Sequence, residues 1–298
     1  MAFNIEPGES TPHAIARMAR HELAGARHAV SDERRSLAAR VHAVRMAIKK
    51  VRALSRLVES AAGRPARRAD RRLRKVAHAV SGARDAEVAL TAFDQMLAGA
   101  KPEASAPFMR ARAALAARLR AEVVPLRRTS HVKRLRARLT RELRRVKRWR
   151  PKHDRWRSIG GGLDDGYRRA RRAMSAAYLS GASADFHAWR RAVKTHRHQL
   201  GALEPIAPRR LRPRLDDLDR LGELLGEDHD LVVLEQTLRD ERASFPDERS
   251  CDRLLRSISA RRLRLRAKAR PLGQRLFDER PSRFRERLRR AFKAFRAH

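Results

Sequence analysis

Apolar residues recur along this chain at intervals of three and four, and the helices they define account for most of its length. Thr11-Pro12 places an N-cap residue before a proline at the first helical position, and predicts a helix to about Val30. Ser31-Asp32-Glu33 opens a second helix to about Ala62, which Gly63-Arg64-Pro65 ends. Helices over 66–80, 84–98, 105–123 and 129–149 follow, with a loop at Gly99–Pro107 and a break at Pro125. Residues 1–10 read as a flexible lead. Pro151–Gly162, PKHDRWRSIGGG, reads as a linker between halves, because its glycines fit no phosphate-loop spacing and no strand precedes them. Further helices are predicted over 163–180, 184–204, 214–226, 229–242, 249–269 and 282–297, with Pro208–Pro213 as a turn and Ser244–Asp247 as a break. No alternating run is long enough for a strand, so the chain reads as all-α.

The polar positions carry their own period. In VHAVRMAIKKVRALSRL (41–57), His42, Arg45, Lys49, Arg52 and Arg56 share one stripe, at spacings of 3, 4, 3 and 4. Val41, Val44, Ile48, Val51 and Val58 take the neighbouring arc, so the basic stripe borders the buried face instead of lying opposite it. Cations one helical turn apart repel by about 3 kcal/mol at an effective dielectric near 20, which favours water or a polyanion in front of them. The design returns in FHAWRRAVKTHRHQLGAL (186–203), where His187, Arg190, Lys194 and Arg197 repeat the first four residues at an offset of 145. The same offset aligns LRKVAHAVSGARDAEVALTAF (73–93) with LDRLGELLGEDHDLVVLEQTL (218–238), Asp85 meeting Asp230. A constant offset through two motifs implies a duplicated unit.

These four segments, taken in their order along the chain, resemble the two halves of a CHAD domain, the conserved histidine α-helical domain. The resemblance runs from about residue 11 to the end. It implies two bundles of four helices related by pseudo-twofold symmetry, divided here as 1–155 and 156–298. It also implies binding of inorganic polyphosphate by basic residues around a central positive cavity, and some relatives sit on polyphosphate granules. His42, Arg45, Lys49 and Arg52, with His187, Arg190, Lys194 and Arg197, fall on the motif positions; Lys50, Arg56 and Arg191 flank them. Thr195 and His196 stand where the first half has Lys50 and Val51, so the second stripe is expected to hold phosphate less strongly. On the most basic stretch, 129–149, Arg138, Arg141 and Arg145 read as a second rail for the same anion.

Composition supports a polyanionic partner. Lys and Arg number 72 against 34 Asp and Glu, a net charge of +38. A nucleic acid is the alternative, as a nonspecific partner at low salt, but aromatics make up only 5 % and none interleaves with the first stripe. A module docking on an acidic protein is a third reading, which competition by polyphosphate separates from the first. The single Cys251 excludes an intramolecular disulfide framework and a cysteine zinc site. The best histidine cluster, His196, His198 and His229, has no carboxylate at ligand spacing, so no metal or other cofactor is expected. Asp85 and Asp230 read as capping groups or arginine partners. No nucleophile–base pair, Walker lysine or metal-holding carboxylate set is legible, which predicts a protein without catalytic activity. The N-terminal decapeptide lacks a signal-peptide pattern and no apolar run approaches 18 residues, so a cytoplasmic location off the membrane is expected, on polyphosphate granules if the resemblance extends that far.

Overall fold

The computed structural model describes residues 3–98, 108–244 and 247–297, and every regular element among them is helical. In chain order the helices longer than four residues are α1 (Thr11–Ser31), α2 (Leu37–Leu57), α3 (Arg64–His78), α4 (Ser81–Leu97), α5 (Met109–Arg127), α6 (Thr129–Arg145), α7 (Gly160–Ser180), α8 (Ser183–Ala202), α9 (Pro208–Asp240), α10 (Glu248–Phe277) and α11 (Pro281–Ala297). Helices α1, α2, α3 and α6 pack around one another, as do α7, α8, α9 and α10. The two groups meet where α2 lies against α7 and α8. Their apolar faces form one continuous core that runs from Ile5 through Val51 and Trp189 to Phe292. The α4–α5 hairpin crosses over: Phe93, Ala111 and Leu115 pack with Leu234, Leu238 and Ile258 of α9 and α10 in a separate cluster. Each large apolar side chain buried this way contributes about 1.5–3 kcal/mol.

Several boundaries differ from the sequence expectation. Residues 3–10 are not a free lead. Ile5 is 1 % exposed and its amide donates to the Ala202 carbonyl at 2.9 Å, while Phe3 lies under Lys50. The predicted helices 214–226 and 229–242 are one helix, α9, which also absorbs the expected Pro208–Pro213 turn. Pro208 occupies its first turn, where the missing amide costs nothing. The buried stripe Leu218, Leu221, Leu225, Leu231, Leu234, Leu238 passes through the acidic junction, with Asp228 in the slot between Leu225 and Leu231. Arg262 and Arg266 of α10 donate to Asp228 at 3.3 and 2.9 Å, which is how a carboxylate is accommodated there. Pro125 and Pro271 lie inside α5 and α10 rather than between helices. The glycines of PKHDRWRSIGGG are the first turn of α7, not a linker. The expected loop 99–107 lies outside the described residues.

Candidate functional site

The contact between α2 and α8 brings the two basic stripes to one place. Val44, Ile48 and Val51 anchor α2 in the core, and Phe186, Trp189 and Val193 anchor α8. The borders of these faces carry Arg45 and Lys49 on one side, Arg190 and Lys194 on the other, all half-buried. Helix α9 closes the space behind them with bare backbone. A Cβ at Gly226 would stand 3.5 Å from Nη2 of Arg190, and one at Gly222 would stand 3.6 Å from Cε of Lys194. A cavity of about 380 Å³ opens between α4, α8, α9 and α10, lined by Arg84, Arg190, Lys194, Glu223, Asp230 and Arg261 among others.

The electrostatics of this space are those of crowded cations. Burial lowers the pKa of Arg45, Arg190 and Lys194. Lys49 is pushed down to about 8, by burial first and then by Lys194, Arg45, Arg190 and Arg84. None of Arg45, Lys49, Arg190 and Lys194 makes an ion pair or hydrogen bond among the described residues, and Nε of Arg190 is buried without a partner. Asp85 of α4 and Asp230 of α9 face them at longer range. Burial raises both carboxyl pKa values while Arg45 and Arg84 oppose the rise at Asp85, and Arg190, Arg84 and Lys194 oppose it at Asp230. The role of arginine partner, read from the sequence for these two aspartates, is thus exerted through space.

The other sequence candidates are placed differently. Arg52 and Arg56 both donate to Asp70 (2.9 and 3.1 Å), Lys50 to Glu22 (2.7 Å) and Arg197 to Asp219 (2.7 Å), so carboxylates neutralise the flanks of the stripes. His42 and Arg191 are exposed. His187 packs at a tilt against His229 with ring centroids 4.0 Å apart; burial pushes them down to about 4 and about 3, so both rings are neutral at pH 7. The structure does not bring Arg138, Arg141 and Arg145 to the cavity. Helix α6 buries Leu135 and Leu139 and packs on α1 and α3, which leaves Arg138 and Arg141 in solvent, and Arg145 pairs with Glu142 at 2.9 Å. His196 is fully buried among Tyr167, Phe277 and Phe284, as its place on the apolar arc predicts. Sequence reasoning missed Arg84 and Arg261. Arg84 had a signal, since it stands beside Asp85 in an aligned segment and its counterpart is His229; Arg261 had none.

A bound polyanion favours protonated Lys49, so binding carries a pH signature. Affinity for a polyanion is expected to stay flat between about pH 5.5 and 7.5, where the neutral histidines do not titrate. Above pH 8 the free protein has lost the Lys49 proton and must regain it on binding, so Kd rises by up to about tenfold per pH unit. Titrations at a series of pH values read this directly, and a Kd that stays flat up to pH 9.5 would remove Lys49 from the site.

The family model for the CHAD domain matches residues 13–239. The chain belongs to the CHAD family. No curated protein matches it. The fold is similar to the crystal structure of the CHAD domain from the plant Ricinus communis, with 16 % identity, a TM-score of 0.58, and coverage of 99 % of this chain and 95 % of that one. At that identity the likeness concerns the fold. Both stripes of this CHAD protein fall inside the matched span, whereas α10 and α11 lie beyond it.

Proposed function

We propose that this CHAD protein binds inorganic polyphosphate, without catalysis, in the space that Arg45, Lys49, Arg190 and Lys194 share. One observation carries the reading: four cations are withdrawn from water and crowded together, yet no carboxylate contacts them among the described residues. Unpaired buried charge is costly, and a ligand that brings several negative charges relieves both the desolvation and the repulsion. Arginine offers a two-pronged fork to phosphate oxygens and lysine a movable point charge, a mixture suited to a flexible phosphate chain without fixed geometry. Neutral His187 can donate one hydrogen bond to the same anion. Attachment to polyphosphate granules follows from this binding. Among the described residues no helix is long and apolar enough to cross a membrane.

The test is competition. Labelled long-chain polyphosphate is bound at physiological salt, and duplex DNA and RNA are added at equal phosphate concentration. Polyphosphate is expected to hold the protein at least tenfold better than either nucleic acid. Equal competition by DNA would mean that the cavity does not select its ligand.

A further inference from the structure

The most basic stretch of the sequence is left unused by the cavity, and it has a neighbour of the same kind. Helices α3 and α6 lie side by side, joined by Arg72 donating to Glu142 at 2.7 Å. Each carries seven Lys and Arg and a single carboxylate. Both carboxylates turn away from solvent. Asp70 receives Arg52 and Arg56, while Glu142, 5 % exposed, receives Arg72 and Arg145. The outer faces of the two helices are therefore free of negative charge. Arg68, Arg71, Arg138, Arg141, Arg144 and Arg148 are all exposed, and none has an ion pair or hydrogen bond among the described residues. A groove of about 560 Å³ at the end of α6 continues this face; Arg20, Arg141, Arg144, Arg145, Lys147, Arg148 and Leu143 line it.

We infer that the α3–α6 face binds a nucleic-acid duplex through its phosphates, at a site separate from the central cavity and independent of what that cavity holds. Charge complementarity selects the chemistry. Exposed arginines one turn apart keep their water until an anion arrives, and binding is driven by release of the counterions condensed on the duplex. The face carries no specificity for sequence, because phosphate contacts position a protein without reading bases. It selects duplex over single strand for a compositional reason. Neither α3 nor α6 contains Phe, Tyr or Trp, so no platform exists on which unpaired bases stack. The cavity and the face thus divide two kinds of polyanion: a bare thread inside, a stiff duplex outside.

The experiment uses the full chain and a fluorescent duplex of random sequence, titrated over a range of salt. Arg71→Glu/Arg138→Glu/Arg141→Glu/Arg144→Glu is compared with a control of equal charge change on α10, Arg253→Glu/Arg256→Glu/Arg264→Glu/Lys268→Glu, whose residues are likewise exposed and unpaired. A glutamine version of the first variant guards against misfolding, with helicity checked in each. The α3–α6 variants are expected to weaken duplex binding by about 30-fold near 0.1 M salt. The log–log salt slope should flatten by about 3–4, one counterion set for each lost contact. The α10 control should bind the duplex within about threefold of wild type. Equal loss in the control would show that net charge alone acts, and unchanged binding in the α3–α6 variants would place the duplex elsewhere; either overturns the inference. Polyphosphate binding is read in parallel. If the α3–α6 variants lose polyphosphate and keep the duplex, the inference fails while the cavity reading is separately called into question. If they lose the duplex alone, it stands whatever the cavity binds.

Discussion

Neutralising the four central cations, as Arg45→Gln/Lys49→Met/Arg190→Gln/Lys194→Met, is expected to cost binding and gain stability. Each charge-assisted contact to phosphate contributes at least about 1.5 kcal/mol net, so four together give a loss of about 6 kcal/mol or more, or at least about 10⁴ in Kd for polyphosphate. The stability change has the opposite sign. Lys49 titrates near 10.5 in an unfolded chain and near 8 here, so at pH 7 the folded protein carries a cost on the order of 3 kcal/mol for this one charge. Below pH 8 the lysine is charged in both states and that cost is present in full. Between 8 and 10.5 the folded state releases its proton first, so wild-type stability rises with pH across that window. The variant should melt several degrees higher than wild type at pH 7, and this rise with pH should be absent. Calorimetry without ligand and polyphosphate titration on the same preparations measure both. A variant that binds as wild type does, or that melts lower while fully helical, contradicts the reading of these residues as cations held ready for an anion.

The second large effect concerns a glycine where α7 meets the end of α2. A Cβ at Gly162 would overlap the carbonyl oxygens of Arg56 and Leu57 and come within 2.5 Å of the Leu57 carbonyl carbon. Those atoms are backbone at the end of α2 and cannot swing aside, so Gly162→Ala is expected to destabilise by about 3 kcal/mol and lower Tm by about 6 °C or more. Gly25→Ala is the comparison. Gly25 is exposed on α1, with nothing within 4 Å of its added Cβ, and the same substitution there removes only backbone freedom. It should stabilise by about 0.5–1 kcal/mol. Thermal melts of the two variants should therefore move in opposite directions. A neutral Gly162→Ala would mean that α2 and α7 do not approach this closely.

The same close approach explains why Gly160, Gly161 and Gly162 read as a linker in the sequence yet form a turn of helix. Three consecutive glycines signal a flexible joint when only local conformation is considered. Here they let the first turn of α7 press against Trp156, Ser60 and the end of α2. Nothing in the glycines themselves distinguishes freedom to bend from room to approach. The one-piece α9 was obscured for a related reason. Gly226-Glu227-Asp228 breaks the local propensity for helix, yet the stripe from Leu218 to Leu238 gains its stability from tertiary burial, and Asp228 is tolerated because α10 supplies two arginines.

What the sequence determined by itself is what periodicity and charge encode. The 3.6-residue recurrence specified the helices, and the alignment of stripe beside core marked the cations from Arg45 to Arg56 and from Arg190 to Arg197 all alike. What only the tertiary structure decided is which of those charges remain unpaired. Arg52, Arg56 and Arg197 carry the same charge in the same stripes and Lys50 carries it beside one, but Asp70, Glu22 and Asp219 come to them from other helices. A carboxylate's distance from an arginine is set by how helices pack, over separations of 14 to 28 residues in these pairs, and helical spacing along one strand of sequence does not contain it.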